Sequence, residues 1–321
     1  MRSILAGVGA YLPLRVVGNE ELALRIETSD AWIRERTGIS QRHIAAPDET
    51  CAFMATEAAR SALRHAEADP ADVDAIILAT ATPDQAFPAA ALRVQAALGI
   101  QNGFGFDLSA ACAGFVYALS VADGMIRAGQ ARGALVIGSE VYSRILNWQD
   151  RNTCVLFGDG AGAVFLRAGD GRGTIDRGIL STHLHAQGAL GDILYVDGAV
   201  GRPERSGMLV MNGREVFRHA VNRLAEVVDE ALAANGLGRR AIDWLVPHQA
   251  NLRIIEAMGR RLGLPSERVV VTVDRHANTS AASVPLALAE ACSDGRIRRG
   301  DLVLLEALGG GLTWGSALVR M

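Results

Sequence analysis

Apolar runs of strand length alternate with stretches of helical periodicity twice along this chain, in the same order each time. The first half runs ILAGVGAYL, a helix near 52–66, VDAIILAT, a helix near 89–98, GFGFDLS, a helix near 113–128 and ALVIGSE. In the second half a long helix near 213–234 precedes IDWLVP, a helix near 251–262, RVVVTVD, a helix near 281–292 and DLVLLEAL. Such alternation predicts an α/β layered fold. The repetition predicts a duplication, with pseudo-symmetric halves at 1–171 and 172–321. VDAIILATAT (73–82) aligns with IDWLVPHQAN (242–251), and MIRAGQARGALVIGSE (125–140) with GRIRRGDLVLLEAL (295–308). Between these anchors FDLSAAC falls against VDRHANT, which places Cys112 and Asn278 on equivalent turns that meet at the centre. Chance likeness between α/β repeats is the competing explanation.

Composition narrows the chemistry. With 321 residues, 50% of them hydrophobic and 21% charged, the chain has core enough for one large domain or two fused medium ones. No apolar run has the length of a membrane span, and MRSILAGVGAYLPLR lacks the apolar stretch and cleavage site of a signal peptide. A cytoplasmic protein with reduced thiols is expected, since Cys51, Cys112, Cys154 and Cys292 are scattered without a CxxC pair. A net charge of −3 does not indicate a nucleic-acid partner. All 32 basic residues are arginine, which excludes a Schiff-base lysine, a pyridoxal phosphate anchor and a P-loop lysine. Neither half has GxGxxG after its first strand, and DGAGAV at 159–164 reads as a tight turn entering a strand.

Four features sit at carboxyl ends of strands, where α/β sheets gather their ligands. In GFDLSAACAGFVYAL, Cys112 is either a small buried apolar residue or a nucleophile whose thiolate the following helix N-terminus favours; the local sequence leaves both open. His248 in VPHQAN is either structural or functional. Asn278 in RHANTSAAS is either a turn residue or a ligand group. LGGGLTWG is either a flexible hairpin or a set of backbone N–H donors brought close to a ligand. Taken together, a thiol, an imidazole, a carboxamide and a glycine loop suit acyl transfer followed by stabilisation of an enolate.

The strings TSDAWIRERTGI, DLSAACAGFVYAL, FGDGAGAV, VPHQANLRII, DRHANTSAASVPLAL and GGGLTWGSALVR together resemble the thiolase-fold condensing enzymes, specifically bacterial β-ketoacyl-acyl-carrier-protein synthase III, over nearly the whole chain. The resemblance implies a duplicated thiolase-like fold layered αβαβα. It also implies Cys112, His248 and Asn278 as the catalytic set. Cys112 would attack an acyl-CoA, usually acetyl-CoA, with its own N–H and that of Gly310 holding the oxyanion. Malonyl-acyl carrier protein would follow, with His248 Nε2 and the Asn278 amide stabilising the enolate formed as CO2 leaves. The product would be a 3-oxoacyl-carrier protein, initiating fatty acid biosynthesis. By the same resemblance Trp32 and Arg151 sandwich the CoA adenine, Arg36 contacts CoA phosphate, and Gly213 and Asn251 line the pantetheine tunnel. Phe87, Tyr142 and Phe157 shape the acyl pocket, Phe87 reaching across a homodimer; Tyr142, where smaller aliphatics also occur, points to a short primer. Arg218, Arg253, Arg260 and Arg261 would dock the acidic carrier protein, the last three sharing one helical face. No cofactor, metal, nucleic acid or membrane enters. Leu308 stands before the glycine loop where relatives often carry Phe, which bears on the packing around His248. A condensing enzyme of polyketide or quinolone type, a cysteine hydrolase and a non-catalytic CoA-binding module remain as alternatives.

Overall fold

The computed structural model describes residues 2–169, 177–198 and 200–321. AIILA (Ala75–Ala79) and GALVIGSEV (Gly133–Val141) are buried at every position, as strands covered on both faces must be. Both belong to a five-stranded sheet in the order Ser3–Tyr11, Asp159–Ala168, Gly133–Val141, Ala75–Ala79, Phe104–Leu108. A four-stranded sheet has the order Trp244–Pro247, Leu302–Gly309, Thr313–Arg320, Gly178–Ala186.

The second sheet, taken from its other end, repeats the directions of the first. Ser3–Tyr11 is antiparallel to Asp159–Ala168, which is antiparallel to Gly133–Val141, which is parallel to Ala75–Ala79. Gly178–Ala186, Thr313–Arg320, Leu302–Gly309 and Trp244–Pro247 follow in the same sense. The sequence repeat is thus a repeat of topology. The expected boundary between halves, at residues 171 and 172, lies outside the described residues.

Helices Gly114–Arg127 and Ser283–Ser293 fill the space between the sheets and touch strands of both. Their near-complete burial requires small and apolar residues all round, which both sequences supply. Cys51–His65 and Ala90–Leu98 cover the outer face of the first sheet, and Gly213–Ala234 and Leu252–Leu262 that of the second. The order of layers is αβαβα. The run DGAGAV is strand rather than turn, part of Asp159–Ala168. Its small residues serve packing: a Cβ on Gly162 would lie 2.6 Å from the Leu286 backbone nitrogen of the central helix.

RVVVTVD departs from expectation more usefully. It makes a single parallel bridge, Leu245 to Val269, and then turns into the short helix Val273–His276. Ala111 and Ser280, both at left-handed φ (45° and 51°), open the 3-10 turns that lead into the two central helices. Their separation in sequence equals that of Ala75 from Trp244 and of Ala134 from Val303, the paired strand positions. Cys112 therefore corresponds to Ala281, not to Asn278. The path from Gly105 to Ala111 is longer in the second half, from Val269 to Ser280, and the extra residues carry Asn278.

Candidate active site

Cys112 sits in the turn Ala111–Ala113, 4% exposed, on the wall of a cavity of about 630 Å³. His248, Asn278, Gly310 and Gly311 line the same cavity. The glycine loop closes tightly on the cysteine turn: a Cβ on Gly309 would stand 2.5 Å from the Cys112 backbone nitrogen, and Thr313 Oγ1 donates to Ala110 O at 2.8 Å. Burial pushes the Cys112 thiol up to about 12, and the Glu140 carboxylate adds to the rise. The nearby Ser280 hydroxyl, the residue's own N–H and the Tyr142 hydroxyl pull the other way. A thiolate favoured at rest is therefore not what the site holds, because full desolvation of an anion costs more than nearby partial charges return.

His248 follows the strand Trp244–Pro247, and its N–H donates to Glu306 O at 2.8 Å. Its Nδ1 is 2.6 Å from Ser283 Oγ, and that oxygen also accepts the Gln249 N–H at 3.3 Å. The tautomer in which the Ser283 hydroxyl donates to Nδ1 has Nε2 as the protonated, donating nitrogen. Burial depresses the imidazolium to about 3, so the ring is neutral at physiological pH. Gln249 braces this corner, donating to Pro247 O and Val270 O and accepting from the Thr272 and Val273 N–H groups.

Asn278 is oriented by comparable means. Its Oδ1 accepts the Ser280 N–H at 2.9 Å, its own N–H donates to Leu156 O, and its carbonyl accepts the Gly158 N–H. With Oδ1 engaged, the Nδ2 amide is the free donor. The cavity thus has two neutral N–H donors, from His248 and Asn278, lining it together with Cys112.

Tyr142 and Phe157 stack at 4.9 Å and line the cavity; Leu308, 6% exposed, lines it as well. Phe87 is 84% exposed and takes no part in this chain's own cavity lining. Gly213 and Asn251 also line the cavity, and Asn251 caps the helix Leu252–Leu262 while donating from Nδ2 to Arg36 O at 2.9 Å. The guanidinium carbons of Arg36 and Arg151 lie 4.5 and 5.2 Å from the Trp32 ring centroid. A purine placed between Trp32 and Arg151 must first displace that guanidinium from the indole. Arg218, Arg253, Arg260 and Arg261 are all exposed. Arg218 pairs with Glu215 and Arg260 with Glu256, while Arg253 donates to Glu35 O.

The family description 3-oxoacyl-[acyl-carrier-protein (ACP)] synthase III matches residues 106–188, and its C-terminal counterpart matches 232–321. The β-ketoacyl-[acyl-carrier-protein] synthase III of Acidiphilium cryptum is 72% identical over 319 residues, 99% of each chain. The chain belongs to the β-ketoacyl-[acyl-carrier-protein] synthase III family. The family member of Granulibacter bethesdensis is 68% identical, over 100% of this chain and 99% of its own. Among solved structures, the synthase III of Aquifex aeolicus superposes with a TM-score of 0.94 at 46% identity, covering 99% of this chain and 100% of its own. A priming β-ketosynthase from the R1128 polyketide pathway gives 0.92 at 39%, covering 99% and 96%. The αβαβα arrangement is the thiolase-like fold of these condensing enzymes, and family membership makes the chain an acyltransferase of the condensing type.

Three polar residues behind Cys112, His248 and Asn278 were not singled out from sequence. Ser283 and Ser280 lie within the string DRHANTSAAS, but a serine before a helix reads as a cap. Glu140 ends ALVIGSE, and its immersion in a fully buried strand was the one available signal. Glu140 accepts hydrogen bonds from the Thr80, Thr82 and Ser280 hydroxyls and the Ala81 N–H.

Proposed function

We propose that Cys112 is the nucleophile and that His248 and Asn278 serve the second half-reaction. As a synthase III the chain joins an acyl-CoA to malonyl-acyl carrier protein, the initiating condensation of fatty acid synthesis. The observation that carries the residue assignment is the cavity wall itself: one thiol and two neutral N–H donors whose other polar atoms are already engaged.

The sulfur attacks the thioester carbon, and the N–H groups of Cys112 and Gly310 take the developing oxyanion. CoA departs and leaves an acyl-cysteine. Malonyl-carrier protein then enters, and as its carboxylate leaves as CO2 the thioester oxygen becomes an enolate held by His248 Nε2 and Asn278 Nδ2. A neutral histidine suits that role, since it donates without quenching the carbanion. The carbanion attacks the acyl carbon, releasing Cys112 and a 3-oxoacyl-carrier protein. The thioester and the malonyl carboxylate supply all the driving chemistry, so the reading needs no cofactor. The bulk of Tyr142 and Phe157 on the cavity wall favours a short primer such as acetyl-CoA.

Trp32 with Arg151 holds the adenine, Arg36 a phosphate, and Gly213 with Asn251 the pantetheine arm. The exposed arginines 218, 253, 260 and 261 receive the acidic carrier protein. The strand Phe104–Leu108 ends the five-stranded sheet with an open edge, and Phe104, Leu92 and Phe87 are exposed nearby in sequence. An unpaired edge with apolar neighbours invites a second copy, and a homodimer formed there brings Phe87 to the partner's acyl pocket. A cytoplasmic location fits the carrier-protein substrate.

Intact-mass analysis after incubation with acetyl-CoA tests the assignment. An acetyl adduct is expected on the native chain and none on Cys112→Ser, and an adduct of equal yield on that variant refutes it. Asn278→Ala should retain the adduct and lose CO2 release from malonyl-carrier protein by about 100- to 1000-fold, the usual effect of one oxyanion-type donor. Loss of the adduct with normal CO2 release would remove Asn278 from the condensation step.

A further inference from the structure

Beneath Cys112 a buried hydrogen-bonded chain runs away from the cavity. The Ser280 hydroxyl neighbours the Cys112 thiol, the turns that carry them packing against each other, and it lies 3.1 Å from Glu140 Oε1 and 3.0 Å from the Tyr142 hydroxyl. Ser280 and Glu140 are fully buried. Ser280 is held at φ 51°, in the left-handed region, on the first residue of the turn that faces the cysteine turn. A serine does not adopt that backbone for its own benefit.

We propose that Glu140 receives the Cys112 proton during acylation, through the hydroxyl of Ser280. This rests on Cys112 being the nucleophile. As Sγ bonds to the thioester carbon, its proton passes to Ser280 Oγ and the Ser280 proton passes to Glu140 Oε1. The carbon–sulfur bond to CoA breaks, and CoA leaves as a thiolate that takes a proton from water. When the new carbon–carbon bond forms, the acyl–Cys112 bond breaks, and the proton returns from Glu140 through Ser280 to the sulfur. Glu140 ends each turnover as it began. With the Ser280 proton directed to Glu140, the Tyr142 hydroxyl is left to donate to Ser280 Oγ or to the sulfur.

The surroundings of Glu140 support a carboxylate that gains and loses a proton. Thr80, Ala81 and Thr82 face it from the loop after Ala75–Ala79, Ser280 from the second half, and Cys112 and Tyr142 from the cavity side. Cys51 of the outer helix faces it as well, with Asp84 behind that thiol. Asp159, on the neighbouring strand, is turned to Ala45 and Ser143. None of these neighbours is a cation. Burial raises the Glu140 carboxyl to about 7 against the pull of its hydrogen bonds from Thr82, Ala81, Ser280 and Thr80, within reach of physiological pH. Both ends of the relay are protein groups whose charged forms disfavour each other, so one proton shared between them is the low-energy state.

The test is the pH dependence of the first half-reaction alone, followed as the rate of Cys112 acetylation by acetyl-CoA. The native chain should accelerate as pH rises through about 7, where Glu140 becomes free to accept. Glu140→Gln should abolish that limb and slow acetylation at pH 8 by about 100-fold, the usual weight of a positioned base. Ser280→Ala should do the same, and Ser280→Thr should restore part of the rate and the limb; this pair carries the test if Glu140→Gln does not fold. Retention of the native profile by a folded Glu140→Gln or by Ser280→Ala overturns the relay. Cys112→Ser, run alongside, separates the two failures: an adduct on it refutes the nucleophile, whereas its absence with unchanged relay variants refutes the relay alone.

Discussion

His248 presents Nδ1 to the hydroxyl of Ser283 at 2.6 Å, and Ser283 begins the central helix Ser283–Ser293. The contact ties the imidazole to the layer between the sheets, and with the Ser283 hydroxyl as donor it supports the tautomer that donates from Nε2. Ser283→Ala should therefore weaken enolate stabilisation without touching acylation. A neutral hydrogen bond contributes about 1 kcal/mol, so CO2 release from malonyl-carrier protein should fall roughly five- to tenfold. The acetyl adduct on Cys112 should form at its native rate, and quench-flow of both half-reactions checks the split.

Trp32 lies under the guanidinium groups of Arg36 and Arg151. Trp32→Ala combined with Arg151→Ala should raise KM for acyl-CoA by roughly tenfold or more, because stacking on a remote adenine binds ground and transition states alike. The kcat should stay within about a factor of three of the native value, since such contacts are uniform binding. Steady-state kinetics with varied acetyl-CoA decide this, and a loss confined to kcat would contradict the adenine clamp.

Arg253 and Arg260 are exposed on the helix Leu252–Leu262. Replacing both with Glu should reduce turnover of malonyl-carrier protein by about tenfold at low salt and less at high salt, as screening predicts. Acetylation of Cys112 by acetyl-CoA should be unaffected. Competition between carrier-protein and CoA-linked substrates at two ionic strengths measures both.

Glu306 is fully buried, and neither of its side-chain oxygens has a hydrogen-bond partner among the described residues. Burial raises its carboxyl from 4.5 to about 8. Between those values the unfolded chain has lost a proton that the folded chain retains, so stability should decline as pH rises from about 4.5 to about 8. Glu140, raised to about 7, acts in the same sense, while His248, lowered to about 3, costs stability as pH falls below 6.5. Glu306→Gln should be more stable than the native chain at pH 8 and much closer to it at pH 5. Urea midpoints at the two pH values provide the comparison.

Cys112, His248 and the glycine loop could be singled out in the chain because each occupies a short string after a strand, and strand ends are visible from local periodicity; Asn278 instead follows the short helix Val273–His276, and that the four line one cavity is a fact of the tertiary structure. The layered duplication was legible for the same reason: a doubly covered strand or helix must be apolar all round, and that pattern is written along the chain. The equivalence of the two turns was not. By eye Cys112 fell against Asn278, whereas strand pairing sets it against Ala281, because the longer path from Val269 to Ser280 is defined by hydrogen bonds to distant segments such as Leu156 and Gly158. The protonation states belong wholly to the tertiary structure. A thiol raised to about 12, an imidazolium lowered to about 3 and a carboxyl near 7 arise from desolvation by residues far apart in sequence, and no local string of amino acids encodes how much water a side chain keeps.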